Sequence, residues 1–249
     1  MHGPMQRSTT PVVMRSPWSA GFPPVLLHAS EKAVKQHPAY AAAKAGDDAE
    51  AANLVEAQVD LDIVLGMASR FAADRPILVP VYAVETAGTN FIPSALASYV
   101  AAITGWEVDD RIMQSNKVGR TGQDGYYRLA VQPTFDGKVH AGRAYVMVDD
   151  FLGQGATFAN LHGHITHQGG RIVGATVLTG KAESSILALS LATLARLREV
   201  HGEDLENWWR ENFGFGFERL TESEARYLIK RTDAQRVRAE ILERLGQGG

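Results

Sequence analysis

The chain of 249 residues can bury one large core or a core with a small cap, and its length favours one or two domains. Its 25 lysines and arginines against 28 aspartates and glutamates make no strong positive field and no acidic tail, so no nucleic-acid partner is expected. With no cysteine, a disulfide framework, a thiolate nucleophile and cysteine-bound zinc are excluded.

Residues 1–30 carry Pro4, Pro11, Pro17, Pro23 and Pro24 without the apolar run of a signal peptide, which predicts an irregular arm over the body of the protein. No later run is long enough to cross a bilayer, and the expectation is a soluble, cytoplasmic protein with no membrane partner. Helical material follows over 31–45 and 49–72, interrupted at Gly46-Asp47-Asp48. In the second piece Leu54, Val55, Val59, Leu61, Ile63, Val64, Leu65 and Met67 are too many for a narrow stripe, so that helix should be well buried. His28 and His37 read as capping or surface residues.

The run PILVPVYA at 76–83 is a strand in which Pro80 marks an edge or bulge. Gly88 and Asn90 punctuate the next loop, and Pro93 suits the first turn of a helix continuing over 95–103. That loop should open at the carboxyl edge of the sheet, where open α/β sheets bind ligands. A short strand fits 107–114. The glycine-rich stretch 115–142, with Lys117, Arg120, Arg128 and Lys138, reads as a long loop or hairpin and a candidate lid.

The chain is organised around AYVMVDDFLGQGATFANL at 144–161. Residues 144–148 are apolar without alternation, as in a parallel strand covered on both faces. Asp149 and Asp150 stand at its expected end, then a loop with Gly153 and Gly155, then a helix from Ala156 or Thr157. Glycines let backbone N–H groups form a nest for phosphate at a positive helix end, and adjacent carboxylates can accept bonds from sugar hydroxyls or meet magnesium. A sugar phosphate would use both halves.

The helix should end at Gly169-Gly170 in a left-handed cap. On it His162, His164 and His167 are spaced around different sides, which argues against a metal cluster. RIVGATVLT at 171–179 is the next strand, parallel to the last. A core-facing helix is expected over 182–201, then an aromatic joint of Trp208, Trp209, Phe213, Phe215 and Phe217. Capping boxes at Thr221/Glu224 and Thr232/Gln235 mark two more helix starts.

The stretch VMVDDFLGQGATF resembles the signature of the type I phosphoribosyltransferases, an apolar strand ending in two acids and running into a phosphate loop closed by threonine. The resemblance implies an α/β fold, a parallel sheet with helices on both faces. Around it the chain divides into an N-terminal arm and helices as a candidate hood (1–75), the core (76–181) and a C-terminal helical extension packed on it (182–249). It implies an enzyme that binds phosphoribosyl pyrophosphate with Mg2+ and transfers phosphoribosyl to or from a base-like acceptor, in nucleotide metabolism.

By position, Asp149 and Asp150 would hold the ribose hydroxyls and the magnesium. Gly153, Gln154, Gly155, Ala156 and Thr157 would wrap the 5′-phosphate. Val84, Glu85, Thr86, Ala87 and Gly88 look like the pyrophosphate loop, and Lys117 and Arg120 like the catalytic cations of a flexible loop. Gln154 stands where the family has threonine or serine, and Gly153 where purine-salvage members carry aspartate. The partner would be a small molecule, phosphoribosyl pyrophosphate or a nucleotide, and the family often forms homodimers. Alternatives are a non-catalytic regulator binding the same ligand, and a methyltransferase using S-adenosylmethionine, which D-x-F-x-G-x-G-x-T also resembles.

Overall fold

A computed structural model describes residues 14–82, 84, 85, 88–116, 118 and 123–247. At its centre four parallel strands lie in the order β1 (Leu26–Leu27), β8 (Arg171–Gly180), β7 (Ala144–Leu152), β2 (Ile77–Pro80). Between β2 and β7 come two hairpin pairs: β3 (Val84–Glu85) with β4 (Gly88–Thr89), and β5 (Met113–Gln114) with β6 (Phe135–Asp136). Outside β2 the chain runs parallel again, with the Leu78 amide donating to Glu107 O (2.8 Å) and the Asp109 amide to Leu78 O (2.9 Å). The short strand expected over 107–114 is thus one bridge from Val108 to Leu78 of β2, one from Met113 to Tyr82, and the two residues of β5.

Alternation along the strands divides the core. Leu78, Val146, Val148 and Leu178 face one side, where they meet α1 (Glu31–Lys35), α2 (Tyr40–Ala45), α3 (Asp48–Gln58), α4 (Leu61–Arg70) and α5 (Ile92–Thr104). Ile77, Val79, Tyr145, Met147 and Val177 face the other, under Phe158, Leu161 and Ile165 of α7 (Ala156–His167). This is an α/β fold with helices on both faces of a parallel sheet. β1, from the N-terminal stretch, is one of its strands, and the helices before residue 72 cover its first face.

Each expected N-terminal helix is split by a local signal. Pro38 separates α1 from α2, since proline lacks the N–H a continuous helix needs. Asp60 separates α3 from α4 by accepting the amides of Asp62 and Ile63. The expectation of deep burial fails for Leu61 and Leu65, about half exposed on α4. The C-terminus of α7 is a Schellman turn: Gly170 N–H reaches Ile165 O, Gly169 N–H reaches Thr166 O, and Gly169 takes φ 85°.

A third cluster forms from α6 (Gly125–Ala130), α8 (Leu191–Phe213, kinked at Gly202), α9 (Glu222–Ile229) and α10 (Ala234–Gln247), around Trp209, Phe217, Leu129 and Ile241. The helix expected from 182 starts only at Leu191, because Ser190 accepts the Thr193 amide and caps it there. Ile186 and Leu191 are therefore exposed, while Leu187 packs under the sheet. The Thr221/Glu224 capping box is present. The second start moves by one residue, to Asp233, whose carboxylate accepts the Arg236 amide. Nor is 115–142 loop throughout: Asp124 caps α6, and α6 is sealed into the third cluster.

Candidate functional site

A cavity of about 400 Å³ opens at the carboxyl end of β7. Its wall includes Asp149 and Asp150, the turn residues Gly153, Gln154, Gly155 and Thr157, and the cations Lys35, Lys44, Arg128 and Lys181. A parallel sheet flanked by helices leaves such a crevice where strands end and helices begin. β7 itself runs past the acids to Leu152, with Phe151 paired to Thr179 and Leu152 to Gly180. The acids therefore sit within the strand, not at its end, and successive residues point to opposite faces. Asp149 is buried and Asp150 half-buried, yet both reach the cavity.

Burial, then the charge of Asp150, pushes the Asp149 carboxyl well above the usual carboxylate range. Asp149 Oδ1 accepts the Asp150 amide at 2.8 Å. Asp150 Oδ2 accepts from Lys44 Nζ at 2.8 Å. Lys44 lies on α2, and Tyr40, one helical turn earlier, lines the cavity with it.

Gly155 is the N-cap of α7 and holds φ 85°, a conformation that favours glycine. A Cβ there would also lie 2.5 Å from Leu187 Cδ2 and 3.2 Å from Thr221 Cγ2. Thr221 Oγ1 donates to Gln154 O at 2.6 Å, so the C-terminal helices brace the turn from behind. The amides of Gly153, Gln154, Gly155 and Ala156 donate to no other acceptor among the described residues. Above them, Arg128 Nη1 lies 2.8 Å from where a Cβ on Gly153 would be, and Arg128 Nε is buried with no hydrogen-bond partner among the described residues. Amides at a helix start beside a guanidinium are an arrangement that suits an anion such as phosphate.

The structure thus brings together Asp149, Asp150, Gly153, Gln154, Gly155 and Thr157, with Ala156 buried behind them. In the stretch expected to hold pyrophosphate, Val84 pairs with Thr89 and Glu85 with Gly88, while Asn90 lines the cavity. Thr86, Ala87, Lys117 and Arg120 lie outside the described residues. Sequence reasoning missed Lys44 and Lys35, which precede the acids by more than 100 residues, and Thr221. Arg128 was placed with the lid, but α6 fixes it over the turn. Lys181 was legible: it follows β8, at the edge where ligands bind.

The three α7 histidines go to separate partners. His162 stacks on Trp18 at 4.3 Å between centroids, and burial lowers its pKa to about 4. His164 Nε2 meets Gly137 O at 3.0 Å, and His167 Nδ1 meets Gly163 O at 2.7 Å. Among the described residues, no group of three or more His, Asp or Glu side chains could hold a metal ion. Lys44 holds one Asp150 oxygen and the Asp150 amide one Asp149 oxygen, and among the described residues no third carboxylate or histidine joins the pair to complete a set of side-chain ligands.

No protein-family model matches this chain. Over 91% of its length it is 40% identical to protein TraN of Escherichia coli, covering 50% of that protein. The similarity is to TraN. A second relative, an uncharacterised protein of Haemophilus influenzae, is 38% identical over 61% of the chain and 34% of its own length. The chain thus spans half of TraN and about a third of the other. TraN overturns the expected activity: over most of its length the chain is similar to TraN, not to a phosphoribosyltransferase, which corrects the readings of phosphoribosyl transfer and of a role in nucleotide metabolism. Among the described residues no helix is long and apolar enough to cross a membrane.

Proposed function

We propose that this chain is a binding module for a small phosphorylated molecule that carries neighbouring hydroxyls. The phosphate lies on the amides of 153–156 beneath Arg128, and the hydroxyls donate to the Asp149–Asp150 pair. The observation that carries this reading is the turn itself, whose amides at the start of α7 donate to no acceptor among the described residues and share one cavity with two carboxylates and the half-buried Arg128, whose Nε is buried without a hydrogen-bond partner there. Helix-start amides and arginine both favour a phosphate, and carboxylate oxygens are acceptors suited to hydroxyl donors. The name TraN states no ligand, so the reading rests on this chain's own residues.

Calorimetric titration with ribose 5-phosphate, inorganic phosphate and unphosphorylated ribose tests it. Ribose 5-phosphate should bind most tightly and ribose least, and Arg128→Ala should weaken ribose 5-phosphate about tenfold or more, as expected for losing a charge-assisted hydrogen bond. Ribose binding as well as its phosphate, or no binding of any of the three, would contradict the reading.

A further inference from the structure

The acid pair raises an electrostatic question that the phosphate turn does not answer. The acid pair faces the cavity proposed for an anion, and the charge of Asp150 opposes the anion's entry unless a cation stands beside it. Protein sites commonly supply a divalent ion, which needs several oxygen ligands in fixed geometry and keeps some water. Here a side-chain cation stands beside the acids. Lys44 Nζ lies 2.8 Å from Asp150 Oδ2, with the two side chains only 23% and 13% exposed.

Its position is built rather than incidental. Ala43, next to it, is fully buried in the core under the sheet, so the end of α2 cannot drift from the cavity. Gly46 stops the helix two residues later with φ 106°, and a Cβ there would sit 3.3 Å from Thr89 O, so α2 closes against the β3–β4 hairpin. The ammonium is thus delivered from a helix whose backbone is fixed on both sides. An ammonium is a compact point charge with three donors, which offsets a carboxylate without the coordination geometry a metal requires.

We infer that Lys44 takes the role of a divalent cation at this site, so that the phosphorylated, hydroxyl-bearing ligand binds without metal. The inference rests on the site reading proposed above. One oxygen of Asp150 stays on Lys44 while the rest of the acid pair receives the ligand's hydroxyls, and the ammonium lies close enough to shield the incoming phosphate from Asp150. Lys44 is a binding and positioning residue in this account, and no bond is made or broken.

The experiment is calorimetric titration of the full chain with ribose 5-phosphate, once in EDTA and once with magnesium, on the wild type, Lys44→Met and Lys44→Arg, with thermal melting to show that each variant is folded. The wild type should bind with the same Kd, within about twofold, in both buffers. Lys44→Met should lose about tenfold or more in EDTA, the size expected for removing a charged hydrogen-bond partner, while Lys44→Arg should retain most of the affinity. Wild-type binding seen only with magnesium, or Lys44→Met binding as tightly as wild type in EDTA, would overturn the inference and leave the site reading standing. No wild-type binding in either buffer would instead remove the site reading, and this inference with it.

Discussion

His162 shows how a side chain that resembles a ligand becomes part of the core. Its ring stacks on Trp18 and meets Phe22 edge-on, and its Nδ1 is buried with no hydrogen-bond partner among the described residues. The unfolded chain protonates this ring near 6.5, the folded protein only near 4. Between those values the unfolded state binds more protons, so the contribution to stability is complete above about pH 6.5 and is lost as pH falls toward 4. At pH 5 the loss is about 2 kcal/mol relative to neutral pH. Urea unfolding at pH 5 and pH 7.5 should show His162→Phe losing less stability on acidification than wild type by that amount. Equal losses would mean that the buried ring does not control this slope. His28 and His164, also lowered by burial, leave a residual slope in both proteins.

Between elements, the tightest joint is Arg15, fully buried although it lies in the N-terminal arm. Its guanidinium donates to both Glu224 oxygens on α9 (2.6 and 2.9 Å), to Asn160 Oδ1 on α7 (2.7 Å) and to Gln132 Oε1 after α6 (2.9 Å). Glu224 also closes the capping box on Thr221, which braces Gln154. The arm, the third cluster and the turn at Gln154 therefore share one polar network. Removing one member of a buried ion pair leaves the other uncompensated, so Arg15→Met should cost about 3–5 kcal/mol in denaturant unfolding. Adding Glu224→Gln should recover part of that loss. A cost below about 1 kcal/mol would show that the pair is not structural.

The same scale shows what the sequence made legible. The strand before Asp149, the turn at Gly153 and Gly155 and the glycine end of α7 were readable because each is a local signal: an apolar run, a positive φ, a Schellman cap. Arg15 was not, since a lone arginine in a proline-rich arm reads as solvated until distant chain closes over it. The helix expected from 182 failed for a related reason. Leucines at helical spacing near Ile186 and Leu187 satisfied the period, but Ser190, a stronger local stop, set where the helix begins.

At the scale of the whole molecule, the sheet gathers residues from five segments into one crevice: Lys44 from α2, Asp149 and Asp150 from β7, the turn before α7, Arg128 from α6 and Lys181 after β8. Only the second and third are contiguous in sequence, and only they were fully named from it. Lys181 was legible from its place after β8, whereas Lys44 and Arg128 depend on which helices fold back over the carboxyl edge, which no spacing encodes. The resemblance to phosphoribosyltransferases placed a glycine turn before a helix where the structure has one, while the activity it implied is overturned by the similarity to TraN, because a strand, two acids and a glycine turn do not specify a reaction. The chain covers half of the length of TraN.

The central claim is that the turn holds a phosphate while the acid pair holds hydroxyls of the same molecule. Amide NMR during titration with ribose 5-phosphate tests it most directly. The account predicts saturable shifts at Gly153, Gln154, Gly155 and Ala156 and at the Arg128 side chain, with inorganic phosphate moving the same turn signals and leaving Asp149 and Asp150 unchanged. Shifts confined to other parts of the chain, or none at the turn at saturating probe, would contradict it.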